Sequence, residues 1–260
     1  MPELPEVETI VRGLAPRLLG RRVVAAEVTC ARVLRGDPGI VVGQTIRAVR
    51  RHGKFIVFDF AGPAAMCIHL GMTGKLLLDA EPGAHTHGVF TLDRGVLLYD
   101  DIRQFGRIEC STTLSPRLQR LGPDPLSLDA AAFIAKLRRH RAMVKPLLLN
   151  QAFLCGMGNI YTDEALFRAG IHPRAIASKL SRPRAARLLQ AMQEVLQESI
   201  ASGGSSISDY VDADGRKGGF QLQHRVYGRE GEPCVSCGRP VRRILVAQRG
   251  THFCPRCQKW

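Results

Sequence analysis

Two pairs of cysteines near the C-terminal end constrain the fold of this chain more than any other feature. Cys234 and Cys237 are separated by two residues, Cys254 and Cys257 repeat that spacing, and sixteen residues lie between the pairs. A two-residue spacing lets one tight turn present both sulfurs to a metal, and sixteen residues are enough for a β-hairpin. Four thiolates select zinc and fill its coordination shell. The pattern therefore predicts one structural Zn²⁺ ion.

The other four cysteines occur singly in apolar or strand-like stretches, which is typical of small buried hydrophobic residues. The alternative for the C-terminal cysteines is a pair of disulfides. The chain shows neither the apolar core of a secretory signal nor a run of about 20 apolar residues that could span a bilayer. We therefore expect a soluble, cytoplasmic protein with reduced cysteines.

Composition narrows the class of partner. The 260 residues are 45% hydrophobic, which excludes global disorder, and carry a formal net charge of +14. Such a surplus of positive charge favours a polyanionic binding partner, of which nucleic acid is the first candidate and an anionic membrane the second. The alternative is that the charge only keeps the protein soluble. Residues 216–260 hold ten Lys and Arg against two acids, which favours nucleic-acid binding by this tail.

Hydrophobic spacing predicts an α+β chain. Pro5 to about Leu19 has helical periodicity, with Glu6 and Glu8 near the positive end of the helix dipole. About eight short β runs follow between Arg22 and Cys110, which indicates an antiparallel sandwich or barrel. The proline-rich LGPDPLS (121–127) breaks this pattern, and helical segments follow it.

The first residues, MPELPEVE, indicate a candidate catalytic group at the amino terminus. If Met1 is removed, Pro2 presents a secondary amine that titrates about two units below a lysine, so more of it is neutral near pH 7. Such an amine can add to a masked aldehyde and form an iminium. Glu3 and Glu6 could move the protons that this chemistry requires. The alternative is a capped helix start with solvated glutamates.

Several blocks of the sequence resemble those of bacterial formamidopyrimidine-DNA glycosylases, in the same order and at similar spacing. Besides MPELPEVE they include HLGMTGKL (69–76), DIRQFGR (101–107), GMGNIYTDEALFRAGIHP (156–173) and AQRGTHFCPRCQK (247–259). Leu4 separates the chain from the related endonuclease VIII branch, which typically has glycine there. The resemblance covers the whole chain.

This resemblance implies three domains. Residues 1–125 would form a catalytic domain with an N-terminal helix and a two-sheet antiparallel β-sandwich. Residues 126–222 would form a helix–two-turn–helix domain with a lesion-recognition loop, and residues 223–260 a zinc finger.

The resemblance also implies an activity, that of a bifunctional DNA glycosylase and abasic-site lyase of base excision repair. Its substrate would be double-stranded DNA that contains oxidised purines, such as 8-oxoguanine and formamidopyrimidines, or abasic sites. Pro2 would attack the sugar C1′, Glu3 would protonate the ring oxygen, and β,δ-elimination would cut the strand. Lys54 and Arg249 would contact phosphate and assist the chemistry. The family implies a monomer that associates with the bacterial nucleoid through DNA.

Further residues match DNA-contacting positions of the family. Met72, Arg103 and Phe105 would fill the space left by an extruded base, and Arg103 would reach the opposite base. From the residues alone, core packing is the alternative for Met72 and Phe105. The complete set of expected DNA contacts is His85, Arg103, His140, Asn159, Met72, Phe105 and Glu6.

Departures from the family pattern leave alternatives open. Ile102 and Gln104 stand where the family usually has proline and arginine, and His140 stands where relatives often carry lysine. The chain could therefore be specialised for oxidised pyrimidines or abasic sites. A non-catalytic zinc-finger DNA-binding protein and an RNA-associated zinc ribbon are alternatives of other classes.

Overall fold

The chain folds into two compact units, each built from two stretches of sequence. The computed structural model describes residues 1–113 and 115–260. Unit 1 contains Met1–Arg120 and Ile200–Gln221, and unit 2 contains Leu121–Ser199 and Leu222–Trp260. The domain boundaries after residues 125 and 222 stay predictions. In the structure, the segment that follows the last long helix returns to unit 1.

Unit 1 consists of a helix and two β-sheets. Its helices and strands are α1 (Leu4–Leu18), β1 (Val23–Val28), β2 (Leu34–Gly36), β3 (Ile46–His52), β4 (Phe55–Phe60), β5 (Ala65–His69), β6 (Lys75–Leu78), β7 (Thr86–Leu92), β8 (Val96–Asp100), β9 (Arg107–Ser111) and α2 (Pro116–Gln119). One sheet has the order β1-β7-β8-β6 and the other β2-β9-β5-β4-β3. The α+β class and the two-sheet arrangement are confirmed. Sequence reasoning missed the three-residue strand β2, which pairs parallel with β9 while every other neighbouring pair is antiparallel.

Helix α1 forms where its apolar spacing predicts. Val7, Leu14 and Leu18 lie on its buried face, and Pro5 stands in the first turn, where a missing N–H costs nothing. Pro16 lies inside the helix without ending it before Leu18. The chain leaves the helix within three residues of this proline, so the disruption is confined to the last turn.

A single apolar core unites unit 1. It contains residues of α1, of both sheets and of the returning segment, among them Leu14, Phe58, Phe90, Tyr210 and Ala213. The burial of Tyr210 and Ala213 explains why the segment 200–221 belongs to this unit.

Unit 2 is helical and ends in a hairpin. Its elements are α3 (Ala130–Arg138), α4 (Val144–Leu149), α5 (Asn159–Ala169), α6 (Arg182–Ala201, within this unit as far as Ser199), β10 (Arg242–Val246) and β11 (Arg249–Phe253). Asp129 caps α3 by accepting the backbone N–H of Ala132 at 2.8 Å, and Gly170 ends α5 at φ 68°. The predicted helices and the C-terminal hairpin are therefore present, although α4 stops at Leu149. No helix within residues 1–113 and 115–260 combines the length and the apolar character that crossing a membrane requires.

Truncation of the α1 face tests this account of the core. Leu14 is 0% exposed whereas Leu19, one residue past the helix, is 64% exposed. We expect Leu14→Ala to lower the free energy of unfolding by about 2–5 kcal/mol, because it removes buried methyl groups and leaves a cavity. Leu19→Ala should change it by less than about 0.5 kcal/mol. Urea denaturation followed by circular dichroism measures both, and equal effects would contradict the assignment of the buried face.

Candidate functional site

The amino-terminal tip is held by a buried carboxylate. Glu6 is 1% exposed, and its two oxygens accept the backbone N–H groups of Glu3 at 2.7 Å and of Ser205 at 2.8 Å. Glu3 is 3% exposed, and Pro2 is buried as well. The helix capping considered as the alternative is present, because Glu3 and Glu6 form a capping box, but both carboxylates are buried instead of solvated. Glu6 therefore fixes the backbone beside Pro2, and in this conformation its side chain is not open to the DNA contact predicted for it.

The returning segment closes around this carboxylate. The Tyr210 hydroxyl donates to the Gly203 carbonyl at 3.1 Å, and the Gly219 N–H donates to the Ser202 carbonyl at 2.9 Å. Gly204, at φ 83°, lies so near Glu6 that an added Cβ would be 3.1 Å from Glu6 Cγ. Burial and the nearby charge of Glu6 raise the pKa of Tyr210, so its hydroxyl stays protonated as a donor. The segment after Ser202 thus lies against Glu6 at Gly204, and Gly219 brings the chain back to Ser202. The loop expected to recognise the lesion, residues 214–228, begins within this segment.

A cationic group lies around the turn between β3 and β4. Lys54 stands in this turn and is 6% exposed. The pKa of His69 is lowered to about 4, first by burial and then by the positive charges of Lys54 and Arg107. The Gly71 N–H donates to His69 Nδ1 at 3.1 Å, which requires that nitrogen to be unprotonated. The imidazole is therefore neutral near pH 7, and the positive charge stays with the lysine and the arginines.

Two neighbouring loops carry the side chains that are expected to fill the space left in a DNA duplex by an extruded base. Met72 is 42% exposed and Phe105 is 54% exposed, so core packing does not account for them. The Arg103 guanidinium lies 4.5 Å from the centre of the Phe105 ring. His85 is exposed too, and its carbonyl accepts the N–H of Asp101 at 3.0 Å. Unit 1 thus brings four of the predicted DNA-contacting residues to one set of connected loops.

In unit 2, Asn159 and a buried ion pair both contact the start of β11, which carries Arg249. The Lys145 ammonium donates to Asp163 at 2.6 Å, and both side chains are fully buried. Lys145 Nζ and Asn159 Nδ2 both donate to the Gly250 carbonyl, at 3.2 and 3.0 Å. Three helical residues therefore fix the start of β11, where Arg249 stands.

The turn before Arg249 is strained. Ala247 and Gln248 have φ values of 47° and 63° and connect β10 to β11 as a two-residue hairpin. Residues other than glycine occupy this left-handed region at an energetic cost that packing elsewhere must offset. The Asp163 carboxylate contributes to that packing by accepting the His252 N–H at 2.8 Å. The arginine thus projects from a rigid, strained turn.

His140 lies between α3 and α4. Its ring packs edge-on against Phe153, with 5.2 Å between the ring centres, and it is half-buried. Among the described residues, no contact joins its side chain to Asn159 or Arg249. Its contact with DNA stays a prediction.

The four C-terminal cysteines converge. Their sulfurs all lie within 4.8 Å of one another, with Cys234 Sγ 3.8 Å from Cys257 Sγ and Cys237 Sγ 3.5 Å from Cys254 Sγ. Zinc–sulfur bonds of about 2.3 Å place tetrahedral sulfurs about 3.8 Å apart, so the donor set fits one structural Zn²⁺. A hydrogen bond from the backbone N–H of Arg239 is the main cause that lowers the pKa of Cys237 to about 7.

A second buried carboxylate of α5 anchors the chain that leads into the zinc site. Glu164 is 3% exposed and accepts the backbone N–H groups of Arg225, Val226 and Tyr227 at 2.8 to 3.1 Å. Burial raises its pKa, although these hydrogen bonds act in the opposite direction. The zinc module is therefore attached to the helical part by backbone hydrogen bonds.

Several positioning residues were missed from the sequence. Lys145 could have been suspected, because a lysine interrupts the apolar run VKPLLL. Asp163 and Asp101 lie inside the recognised blocks without any local sign of burial. Ser205 and Tyr210 act through contacts with Glu6 about 200 residues away in sequence.

Comparisons with known proteins identify the domains of the chain. Residues 1–108 match the formamidopyrimidine-DNA glycosylase N-terminal domain, residues 121–211 the formamidopyrimidine-DNA glycosylase H2TH domain, and residues 231–259 a zinc finger found in FPG and IleRS. A formamidopyrimidine-DNA glycosylase of Solibacter usitatus is 56% identical over 264 residues, which covers both chains completely.

Solved structures are similar over the whole chain as well. The MutM (Fpg) protein of Thermus thermophilus superimposes with a TM-score of 0.90 at 45% identity and covers 99% of this chain and 98% of its own. A Lactococcus lactis Fpg mutant in complex with Fapy-dG-containing DNA gives 0.91 at 38% identity, with both chains fully covered.

The buried ion pair between Lys145 and Asp163 predicts that loss of the Asp163 carboxylate strongly lowers the free energy of unfolding. Asp163→Ala leaves the Lys145 ammonium buried without its carboxylate and the His252 N–H without its acceptor. We expect the free energy of unfolding to fall by about 3–5 kcal/mol. Glu194→Ala is the matched control, because its pair with Arg168 is 3.4 Å long and Glu194 is 43% exposed. It should cost less than about 1 kcal/mol in the same urea titration.

Metal removal tests the cysteine site. The hairpin β10–β11 is too small to be stable alone, so it depends on zinc. We expect one zinc per chain by elemental analysis, and loss of both zinc and DNA affinity in Cys254→Ser. Cys30→Ser, which alters a cysteine outside the cluster, should retain both. Undiminished DNA affinity in the zinc-free variant would show that the hairpin does not serve binding.

Proposed function

Because this chain belongs to the formamidopyrimidine-DNA glycosylase family and is a DNA glycosylase of base excision repair, we propose that Pro2 is its nucleophile and that its substrates are oxidised purines in duplex DNA. The observation that carries the proposal is the buried tip, where the Glu6 carboxylate holds the backbone of Glu3 at 2.7 Å. Such preorganisation aligns a nucleophile and an acid before substrate arrives.

The chemistry begins once Met1 is removed. The Pro2 nitrogen forms a bond to the sugar C1′ while the bond from C1′ to the base breaks. The base leaves with the electron pair and takes up the proton that the Pro2 nitrogen loses. Glu3 protonates the ring oxygen, the sugar opens, and an iminium joins Pro2 to the DNA. Elimination, typical of the family, then cleaves the strand on both sides of the lesion.

Cationic side chains bind the phosphates of the DNA backbone. Lys54 and Arg249 contact the backbone around the lesion and assist elimination, and Asn159 binds phosphate at the start of α5, where the helix dipole favours negative charge. The formal charge of +14 supports a duplex partner.

Extrusion of the damaged base leaves a hole in the stack. Met72 and Phe105 are exposed apolar side chains of the kind that insert between base steps, and Arg103 hydrogen-bonds the opposite base. Ile102 and Gln104 flank this arginine and modify its preference.

The lesion class is supported by the relatives. The Solibacter usitatus protein is named for formamidopyrimidine removal, and Lactococcus lactis Fpg is solved with DNA that contains Fapy-dG and with abasic-site DNA. We infer that this chain excises 8-oxoguanine and formamidopyrimidines and that it acts on DNA in the bacterial cytoplasm as a monomer.

Borohydride trapping tests the nucleophile. Reduction converts the iminium to a stable amine, so wild-type protein should form a covalent complex with duplexes that contain 8-oxoguanine opposite cytosine or an abasic site. Pro2→Gly should lose most of this product, because the secondary amine is absent. Peptide mapping of the complex should place the bond at Pro2, and intact mass should show that Met1 is gone.

A second variant separates excision of the base from the reaction with an abasic site. Glu3→Gln removes the acid, so excision of 8-oxoguanine should fall about 10²–10⁴-fold, whereas trapping on an abasic duplex, which has already lost its base, should persist. Trapping by wild type on abasic DNA alone would indicate a lyase with altered base recognition. DNA binding without any trapping, in protein that lacks Met1, would contradict the enzymatic proposal.

A further inference from the structure

A buried carboxylate joins the loops that carry the exposed Met72, Arg103 and Phe105. Asp101 follows β8 and is 0% exposed. Its Oδ1 accepts the Thr73 hydroxyl at 2.5 Å, and its Oδ2 accepts the Gly106 N–H at 2.8 Å and the Tyr99 hydroxyl at 3.1 Å. A carboxylate that is removed from water needs such donors, and each donor in turn becomes costly to leave unpaired.

The backbone of the same residue makes further connections. The Asp101 N–H donates to the His85 carbonyl at 3.0 Å, and the Asp101 carbonyl accepts the Gln104 N–H at 3.2 Å and contacts His87 Nε2 at 3.1 Å. Gln104 has φ 53°, a conformation that a non-glycine residue adopts only where its surroundings enforce it. Asp101 thus closes the turn from which Arg103 projects.

Thr73 links the two loops directly. Its hydroxyl donates to Asp101 and accepts the Arg103 N–H at 3.1 Å, so it uses its hydrogen and one lone pair at once. Hydrogen bonds in such a chain strengthen one another and fix a single arrangement. Met72, the residue before Thr73, is therefore tied to Arg103 through one hydroxyl.

The backbones of the two loops also touch. Gly71 has φ 60°, and a Cβ added there would lie 2.5 Å from the Gly106 nitrogen and 2.6 Å from the Phe105 carbonyl carbon. A Cβ on Gly106 would collide with the Tyr99 hydroxyl. Both glycines are needed for this close approach, because a side chain at Gly71 would collide with the other loop and one at Gly106 with Tyr99.

We propose that Asp101 is a positioning residue that locks the Met72 loop to the Arg103–Phe105 loop, so that the three side chains enter the duplex as one rigid unit. This inference rests on the proposed function. Asp101 itself does not touch DNA. It acts by preorganising the side chains that replace the extruded base, and its loss slows the step in which the base leaves the stack.

The test compares two substrates that differ in the need for this step. Excision of 8-oxoguanine from a duplex requires extrusion of the base and occupation of the hole. Borohydride trapping on a single-stranded abasic oligonucleotide requires neither, because that strand has no base to extrude and no opposite base. A positioning defect lowers the first rate, measured in single turnover, and spares the second.

Two pairs of variants define the result. Asp101→Asn replaces one carboxylate oxygen by an amide N–H₂ that cannot accept, so either the Thr73 hydroxyl or the Gly106 N–H and Tyr99 hydroxyl lose their acceptor. Thr73→Val removes the shared hydroxyl while keeping the shape of the side chain. Both should lower duplex excision about tenfold, with single-strand trapping within about twofold of wild type. Thr73→Ser, which keeps the hydroxyl, should restore duplex excision. Asp100→Asn is the matched control, since the adjacent Asp100 carboxylate accepts the Thr86 hydroxyl, which lies outside the two loops.

The outcomes separate the inference from the proposed function. Wild type that neither excises nor traps contradicts the proposed function and the inference with it. Active wild type with undiminished duplex excision in Asp101→Asn and Thr73→Val overturns the inference alone. It is overturned as well if both readouts fall together in variants that melt at the wild-type temperature. If Asp101→Asn fails to fold, the contrast between Thr73→Val and Thr73→Ser decides.

Discussion

Buried carboxylates that accept backbone N–H groups hold the loops on which the candidate site is built. Unit 1 has Glu6, which binds the amides of Glu3 and Ser205, and Asp101, which binds that of Gly106. Unit 2 has Asp163 and Glu164, which bind amides of the segments that surround the zinc site. Loop amides that are withdrawn from water need acceptors, and a carboxylate offers several at fixed geometry.

The burial of these carboxylates affects the charge that the protein surface presents to DNA. The protein has 37 basic and 23 acidic residues, and five of the acids are at most 3% exposed. These acids act inside the protein on backbone amides, on hydroxyls and on one buried lysine, while most arginines stay at the surface. A positive surface attracts a polyanion over a distance of about 10 Å at moderate salt. The same acids that stiffen the loops are thus withheld from the surface that DNA approaches.

The proposed role of Met72, Arg103 and Phe105 in replacing the extruded base gives the rigidity of their loops a functional reason. A duplex loses stacking energy when a base is extruded, and side chains that are already in place recover part of it without a further entropic cost. The short Met72 and Phe105 loops are packed backbone to backbone, and the turn before Arg249 is kept at unfavourable φ angles by its surroundings. Strain and close packing of this kind occur where a side chain must be aimed.

The sequence by itself determined the local features. The spacing of Cys234, Cys237, Cys254 and Cys257 was enough to predict the zinc site, because a two-residue knuckle is a local property of the chain. The helix Leu4–Leu18 and eight of the strands followed from apolar periodicity. The tip residues Pro2 and Glu3 were singled out by the resemblance to the family, and their catalytic role stays a proposal.

Only the tertiary structure decided what holds these parts in place. The contact of Glu6 with Ser205 spans 199 residues, that of Asp163 with His252 spans 89, and that of Thr73 with Asp101 spans 28. The parallel pairing of β2 and the positive φ angles of Ala247 and Gln248 likewise depend on neighbours that are distant in sequence or on packing around the turn. Contacts between a side chain and a remote backbone amide leave no period or spacing in the sequence. They exist only because the fold brings a buried donor and a buried acceptor together, where leaving either unpaired is costly.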